Sequence, residues 1–101
     1  MSQTTGKSSQ APFTIMVTDD DHAVRRSIQL MLCSRGYNVL SYTTGKALLA
    51  DPKSECADCL VVDYCMPDVN GLVVLETLRA RGWQGKAIMI SAYCGPLLEI
   101  R

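Results

Sequence analysis

No apolar run in the chain approaches the roughly 20 residues that a membrane-spanning helix needs. The segment from Met1 to Ala11 has neither the basic start nor the apolar centre of a secretory signal, so a cytoplasmic location is expected. Net charge is missing as well, since ten Lys and Arg balance ten Asp and Glu. That balance removes the long-range attraction to nucleic acid or to an anionic membrane, and neither is expected as a partner. Histidine occurs once, as His22, and there is no Gly-x-Ser-x-Gly elbow, so a hydrolase reading of Ser91 has little to stand on. Five cysteines (Cys33, Cys56, Cys59, Cys65 and Cys94) are an odd number, and several lie in apolar segments. In a reducing compartment they read as small buried hydrophobes rather than a disulfide framework. The alternative is a zinc or redox site built on Cys56 and Cys59 with Cys65 and His22. It has no second Cys pair, and strand residues so spaced rarely both face one metal.

What is present is the composition of one globular domain: 101 residues, 48% hydrophobic and 20% charged. The first dozen residues, rich in Ser, Thr and Gln, read as a solvated arm (1–12), and the domain is expected over 13–101. From Phe13 an apolar strand, FTIMV, stops at Asp19, Asp20 and Asp21. Asp21 is a suitable N-cap for a helix from His22 to about Arg35, with Val24, Ile28 and Leu32 facing inward and Arg25, Arg26 and Gln29 facing water. Gly36 closes that helix.

A second strand is expected at Tyr37 to Tyr42, then a brief helix capped by Thr43 or Thr44 and ended near Asp51-Pro52. A third strand, Cys59 to Val62, again runs into a carboxylate, Asp63. After the loop YCMPDVN, Leu72, Leu75 and Leu78 mark another helix, and Gly82 stops it. Asp68 and Asn70 read as turn formers, Gly71 as a permissive backbone position and Trp83 as a packing anchor. A fourth strand covers Lys86 to Ser91. Strands and helices alternating at this spacing predict a parallel sheet with helices on both faces.

In open sheets of this kind, ligands sit beyond the carboxyl ends of the strands, where connections leave on opposite faces. If the first, third and fourth strands are neighbours, Asp19, Asp20, Asp63 and Ser91 converge there. Crowded carboxylates repel, and a hard oxygen-seeking cation such as Mg²⁺ relieves the repulsion. A carboxylate held this way can act as nucleophile toward a phosphoryl donor, with the Ser91 hydroxyl donating a hydrogen bond to the transferred group.

The segments IMVTDDD, HAVRRSI, VVDYCMPDVNGL and IMISA together resemble the receiver domain of bacterial two-component response regulators, over Phe13 to about Ala92. The resemblance implies a flavodoxin-like, doubly wound α/β fold with strand order 2-1-3-4. It implies Asp63 as phosphoacceptor, Asp19 and Asp20 as the acidic metal pair, and the Cys65 backbone carbonyl as a further Mg²⁺ ligand. Ser91 would contact the phosphoryl group, and Ala92 would leave access to it. The implied donor is a histidine kinase, and output would pass by protein contact to a downstream protein.

The chain departs from the family pattern where a fourth helix, a fifth strand ending in Lys-Pro and a fifth helix are usual. The domain is therefore expected to be incomplete at its C-terminus. Lys86 stands at the wrong end of the fourth strand to replace the family lysine, about 16 Å from Ser91. Tyr93 is not assumed to replace the aromatic residue of the fifth strand. One sheet face is expected to be partly open, and the fourth strand to be an exposed edge through which the chain could self-associate. A phosphorylation-incompetent module for interaction or dimerisation is the alternative reading.

Overall fold

The computed structural model describes residues 13–91 and 95–100, with Ser91 and 95–100 described by their backbone. The elements follow in the order β1 (Thr14–Thr18), α1 (His22–Ser34), β2 (Asn38–Tyr42), α2 (Gly45–Ala50), a 3-10 turn (Pro52–Cys56), β3 (Cys59–Asp63), α3 (Gly71–Ala80), β4 (Lys86–Ser91) and β5 (Gly95–Ile100). They form one sheet of order β2-β1-β3-β4-β5. The first four strands are parallel, as the alternation of strands and helices predicts, and β5 runs antiparallel to β4.

Local chemistry sets the element ends. Asp21 caps α1 by accepting the N–H groups of Ala23 and Val24, Thr44 caps α2 through Ala47, and Asn70 caps α3 through Val73. Gly36 and Gly82 adopt positive φ just past α1 and α3, which only glycine does without strain. The segment from Pro52 to Cys56 forms a 3-10 turn that Asp51 caps.

Alternation along the strands divides the core. Met16, Leu60, Val62, Ala87 and Met89 point to the face covered by α2 and α3, where they meet Leu48, Val74, Leu75, Leu78 and Trp83. Several of these side chains are fully buried, each worth about 1.5–3 kcal/mol relative to exposure. Trp83 is the anchor expected of it: it is buried, and its indole N–H donates to the Ala57 carbonyl at 2.8 Å. On the opposite face, Ile15, Val17 and Cys59 are buried, while Val61 and Ile88 are only partly so. The covering element there is α1, which packs on β1 and β2. The partly open face that the sequence predicts is thus on the α1 side, over β3 and β4.

Three expectations need correction. The inward stripe of α1 runs through Arg25, Ile28 and Leu32: Val24 is 39% exposed, whereas Arg25, expected in water, is 8% exposed. On α3, Leu72 is 38% exposed, and Val74 takes the inward place beside Leu75 and Leu78. Finally, β4 is not an exposed edge. The chain returns as β5, pairing Ala87 with Ile100, Ile88 with Glu99 and Met89 with Leu98, with an irregularity before Ser91 pairs with Gly95. Only residues 92–94 lie between the two strands in sequence. The strand therefore runs opposite to the four parallel ones, and the apolar β4 ladder is satisfied by the chain itself.

Candidate functional site

The sheet order reverses between β1 and β3: α1 leads from β1 outward to β2, while α3 leads from β3 the other way to β4. This is the switch point at which a doubly wound sheet opens a crevice. Asp19 and Asp20 follow the end of β1, and Asp63 ends β3. One carboxylate oxygen from each lies within 4.8 Å of the others, so the three carboxylates meet as the sequence predicts. Asp19 is buried, Asp63 partly buried and Asp20 exposed, which leaves the cluster open on one side.

Electrostatics mark the cluster as incomplete by itself. Burial, followed by the charges of Asp19 and Asp20 and a hydrogen bond to Asp19, raises the Asp63 carboxyl to about 6, against the pull of the Cys65 N–H. Burial likewise raises Asp19, although the Asp21 N–H and the hydrogen bond with Asp63 oppose it. Three carboxylates this close favour holding a proton or a cation. An oxygen-only donor set with one solvent-facing side suits a hard divalent ion that keeps several waters, so the residues present fit Mg²⁺.

The backbone around the cluster is closely tied. The Asp21 N–H donates to Asp19 Oδ1 at 2.8 Å, and the Cys65 N–H donates to Asp63 Oδ1 at 3.2 Å. Arg25 reaches back from α1 to donate to the Asp19 carbonyl at 2.9 Å. Gly71 begins α3 directly against the exit of β3, its N–H donating to the Tyr64 carbonyl at 2.9 Å. Its role is close approach rather than an unusual φ, because an added Cβ would lie 2.7 Å from the Asp63 carbonyl oxygen.

Asp68 does more than form a turn. Its Oδ2 accepts the Lys46 N–H at 2.9 Å, joining the loop after β3 to the start of α2. Although burial pushes its carboxyl up, the N–H groups of Lys46, Val69, Gly45 and Asp68 itself hold it below the ordinary value. Arg25 and Asp68 were both missed as supports of the site from sequence. The i, i+3, i+7 spacing of Arg25, Ile28 and Leu32 could have placed Arg25 inward. Asp68 carries no such local signal, since its partner is 22 residues away.

The Ser91 hydroxyl, Ala92, Tyr93 and Cys94 lie outside the described residues, as does the arm 1–12. The cysteine alternative does not assemble. Cys59 is buried at the start of β3 and Cys65 follows the opposite end, while Cys33, Cys56 and Cys65 are exposed. Among the described residues, the metal-competent group is the carboxylate trio. His22 is exposed at the first position of α1, with its Nδ1 2.7 Å from Arg25 Nη2.

Comparison with known proteins agrees with this architecture. The family model described as "Response regulator receiver domain" matches residues 15–96. "Response regulator MprA" of Mycolicibacterium vanbaalenii is 39% identical over 71 residues, 70% of this chain and 31% of that protein. The chain thus spans about a third of the length of that curated relative. Among solved structures, the receiver domain of the hybrid histidine kinase CckA superposes with a TM-score of 0.71 at 32% identity, covering 79% of this chain and 76% of that one. The response regulator TrrA from Thermotoga maritima, solved in complex with Mg²⁺ and BeF, gives 0.72 at 29% identity, covering 79% and 70%. With the switch-point crevice and its acidic cluster in place, these matches identify the chain as a member of the response regulator receiver domain family.

Proposed function

We propose that Asp63 accepts a phosphoryl group from the phosphohistidine of a histidine kinase, in a Mg²⁺-dependent step. The observation that carries the reading is the meeting of the Asp19, Asp20 and Asp63 carboxylates within 4.8 Å at the switch point of the sheet. Asp19, Asp20, Asp63 and the Cys65 carbonyl would hold the ion. When bound, Mg²⁺ neutralises charge on the transferring phosphoryl oxygens. The crystallised TrrA complex with Mg²⁺ and BeF, a relative at 29% identity, supports that choice of cation.

The protein's own part is positioning. A carboxylate oxygen of Asp63 attacks phosphorus, the P–N bond of the donor breaks, and the departing imidazole takes up a proton. With its carboxyl held near 6, Asp63 is mostly ionised at neutral pH and ready to attack. The Cys65 N–H fixes one of its oxygens, and the Ser91 hydroxyl is assigned to the phosphoryl group. The domain is assigned to 13–101 and the arm to 1–12. In this reading the protein works in the cytoplasm as a phosphoacceptor that signals by contact with a downstream protein, and it is not a turnover enzyme.

Intact-mass measurement after incubation with a small phosphodonor, with and without Mg²⁺, tests the assignment. One phosphoryl adduct is expected on the wild type with Mg²⁺ and none on Asp63→Asn. Equal labelling of the variant would remove Asp63 from the role. Mg²⁺ binding without any adduct would favour the interaction module that has lost phosphoryl transfer.

A further inference from the structure

Arg25 is a cation buried without a carboxylate. It is 8% exposed, and among the described residues it makes no ion pair. Its guanidinium instead donates through Nη1 to the Asp19 carbonyl at 2.9 Å and meets His22 Nδ1 through Nη2 at 2.7 Å. Burying a guanidinium with only a carbonyl and an imidazole as partners is unfavourable unless negative charge stands close by. The residue whose carbonyl Arg25 holds is also one of the three that contribute a carboxylate to the Asp19, Asp20 and Asp63 cluster.

Backbone geometry makes that contact consequential. The β1 ladder to both neighbours ends at Thr18. Asp19 and Asp20 follow that last paired residue. The turn is held from one side by the Asp21 N–H on Asp19 Oδ1 and from the other by Arg25 on the Asp19 carbonyl.

We infer that Arg25 is a positioning residue for the cation site, clamping the Asp19 backbone so that the Asp19 and Asp20 carboxylates face Asp63, with His22 orienting the guanidinium. The inference rests on the Mg²⁺ site proposed above. It has a distinctive sign. By charge alone, removing Arg25 would strengthen cation binding, because a nearby positive charge is lost. As a clamp, its removal weakens binding, because two carboxylates lose their aim. Loss of a partner that orients a metal ligand typically lowers affinity about 10- to 100-fold.

The test is Mg²⁺ titration calorimetry on wild type, Arg25→Met, Arg25→Lys, His22→Ala and Asp63→Asn, well below each melting midpoint, with amide NMR shifts of residues 19–21. The expected result is a dissociation constant about tenfold higher for Arg25→Met. Arg25→Lys, which keeps the charge and one donor, should fall between, and His22→Ala should show a smaller loss. The amide shifts should move in the order of the affinities. A folded Arg25→Met that binds Mg²⁺ as tightly as wild type, or more tightly, overturns the inference. Should Arg25→Met fail to fold, Arg25→Lys and His22→Ala decide, and unchanged affinity in both overturns it. If wild type binds and Asp63→Asn does not, such a result sinks the clamp alone. A wild type that binds no Mg²⁺ removes the proposed site and the clamp together.

Discussion

Gly71 stands so close to Asp63 that a Cβ on the glycine would lie 2.7 Å from the Asp63 carbonyl oxygen and 3.1 Å from the Tyr64 Cα. Both atoms are backbone, so neither can swing away as a side-chain tip would. The first turn of α3 and the exit of β3 are therefore one rigid unit, and the phosphoacceptor candidate is positioned by main-chain contact from behind.

Gly71→Ala should accordingly push α3 off the strand. We expect a loss of about 1–3 kcal/mol, the usual cost of overpacking a close contact. Urea unfolding gives the stability, and Mg²⁺ titration of the same protein should show weaker binding. A variant that matches wild type in both would mean that the α3 start relaxes freely.

The carboxylate cluster predicts an unusual pH dependence. The folded-state value of Asp63, about 6, lies above its ordinary 3.8. Between those values the folded protein keeps a proton that the unfolded chain releases. This contribution is therefore full below about pH 4 and is lost as pH rises through about 6. Asp63→Asn, without Mg²⁺, should raise the melting midpoint at pH 7.5 by about 4–8 °C, the shift that roughly 1 kcal/mol produces in a small domain. At pH 4.5 the gap should shrink, because wild-type Asp63 is then largely protonated. Added Mg²⁺ should stabilise the wild type more at pH 7.5 than at pH 5. Calorimetric melts at these pH values, with and without Mg²⁺, check all three signs.

How much of this was legible in the sequence follows from the range of each interaction. Apolar strand bodies running into Asp19, Asp20 and Asp63, with Asp21 and Gly36 bounding α1, are signals carried by neighbouring residues, and they placed the strands, the helices and the cluster. Arg25 was misassigned because the stripe was phased on Val24; the choice of phase turns on which side chains the sheet covers, and only the fold determines that. Gly71 and Asp68 were recognised as loop residues, but their purposes lie in contacts across the chain, with Asp63 and Lys46. The antiparallel return of β5 was missed because six residues from Gly95 have no apolar periodicity of their own, and their pairing partner is the β4 edge.

Asp68 should behave as the link between the loop after β3 and α2. Asp68→Ala removes the acceptor of the Lys46 N–H, and the cost should be about 1 kcal/mol, as for other lost helix caps. Its carboxyl lies below the ordinary value, so the contribution is present above the unfolded value and is lost as pH falls through the lower folded one. Hydrogen exchange should show faster opening at residues 45–47 in the variant. Unchanged exchange there would separate the two elements.

The pairing of β4 with β5 leads to the last prediction. In the full chain the hydrogen-bonding edge of Ala87 to Met89 is occupied by residues 98–100 in an antiparallel ladder. Removing residues 95–101 would uncover that edge along a strand whose buried members, Ala87 and Met89, belong to the main core. An apolar edge of this kind is a template for pairing with another chain. The shortened protein should therefore sediment as larger, concentration-dependent species than the full chain at the same concentration, and it should melt at a lower temperature. Replacing Met89 with Lys would be a poor control, because it would break the core. Lys placed at Ile88, on the less covered face, adds charge beside the same edge and should reduce the association. A shortened chain with the sedimentation and melting of the full one would show that β5 contributes nothing to protecting β4.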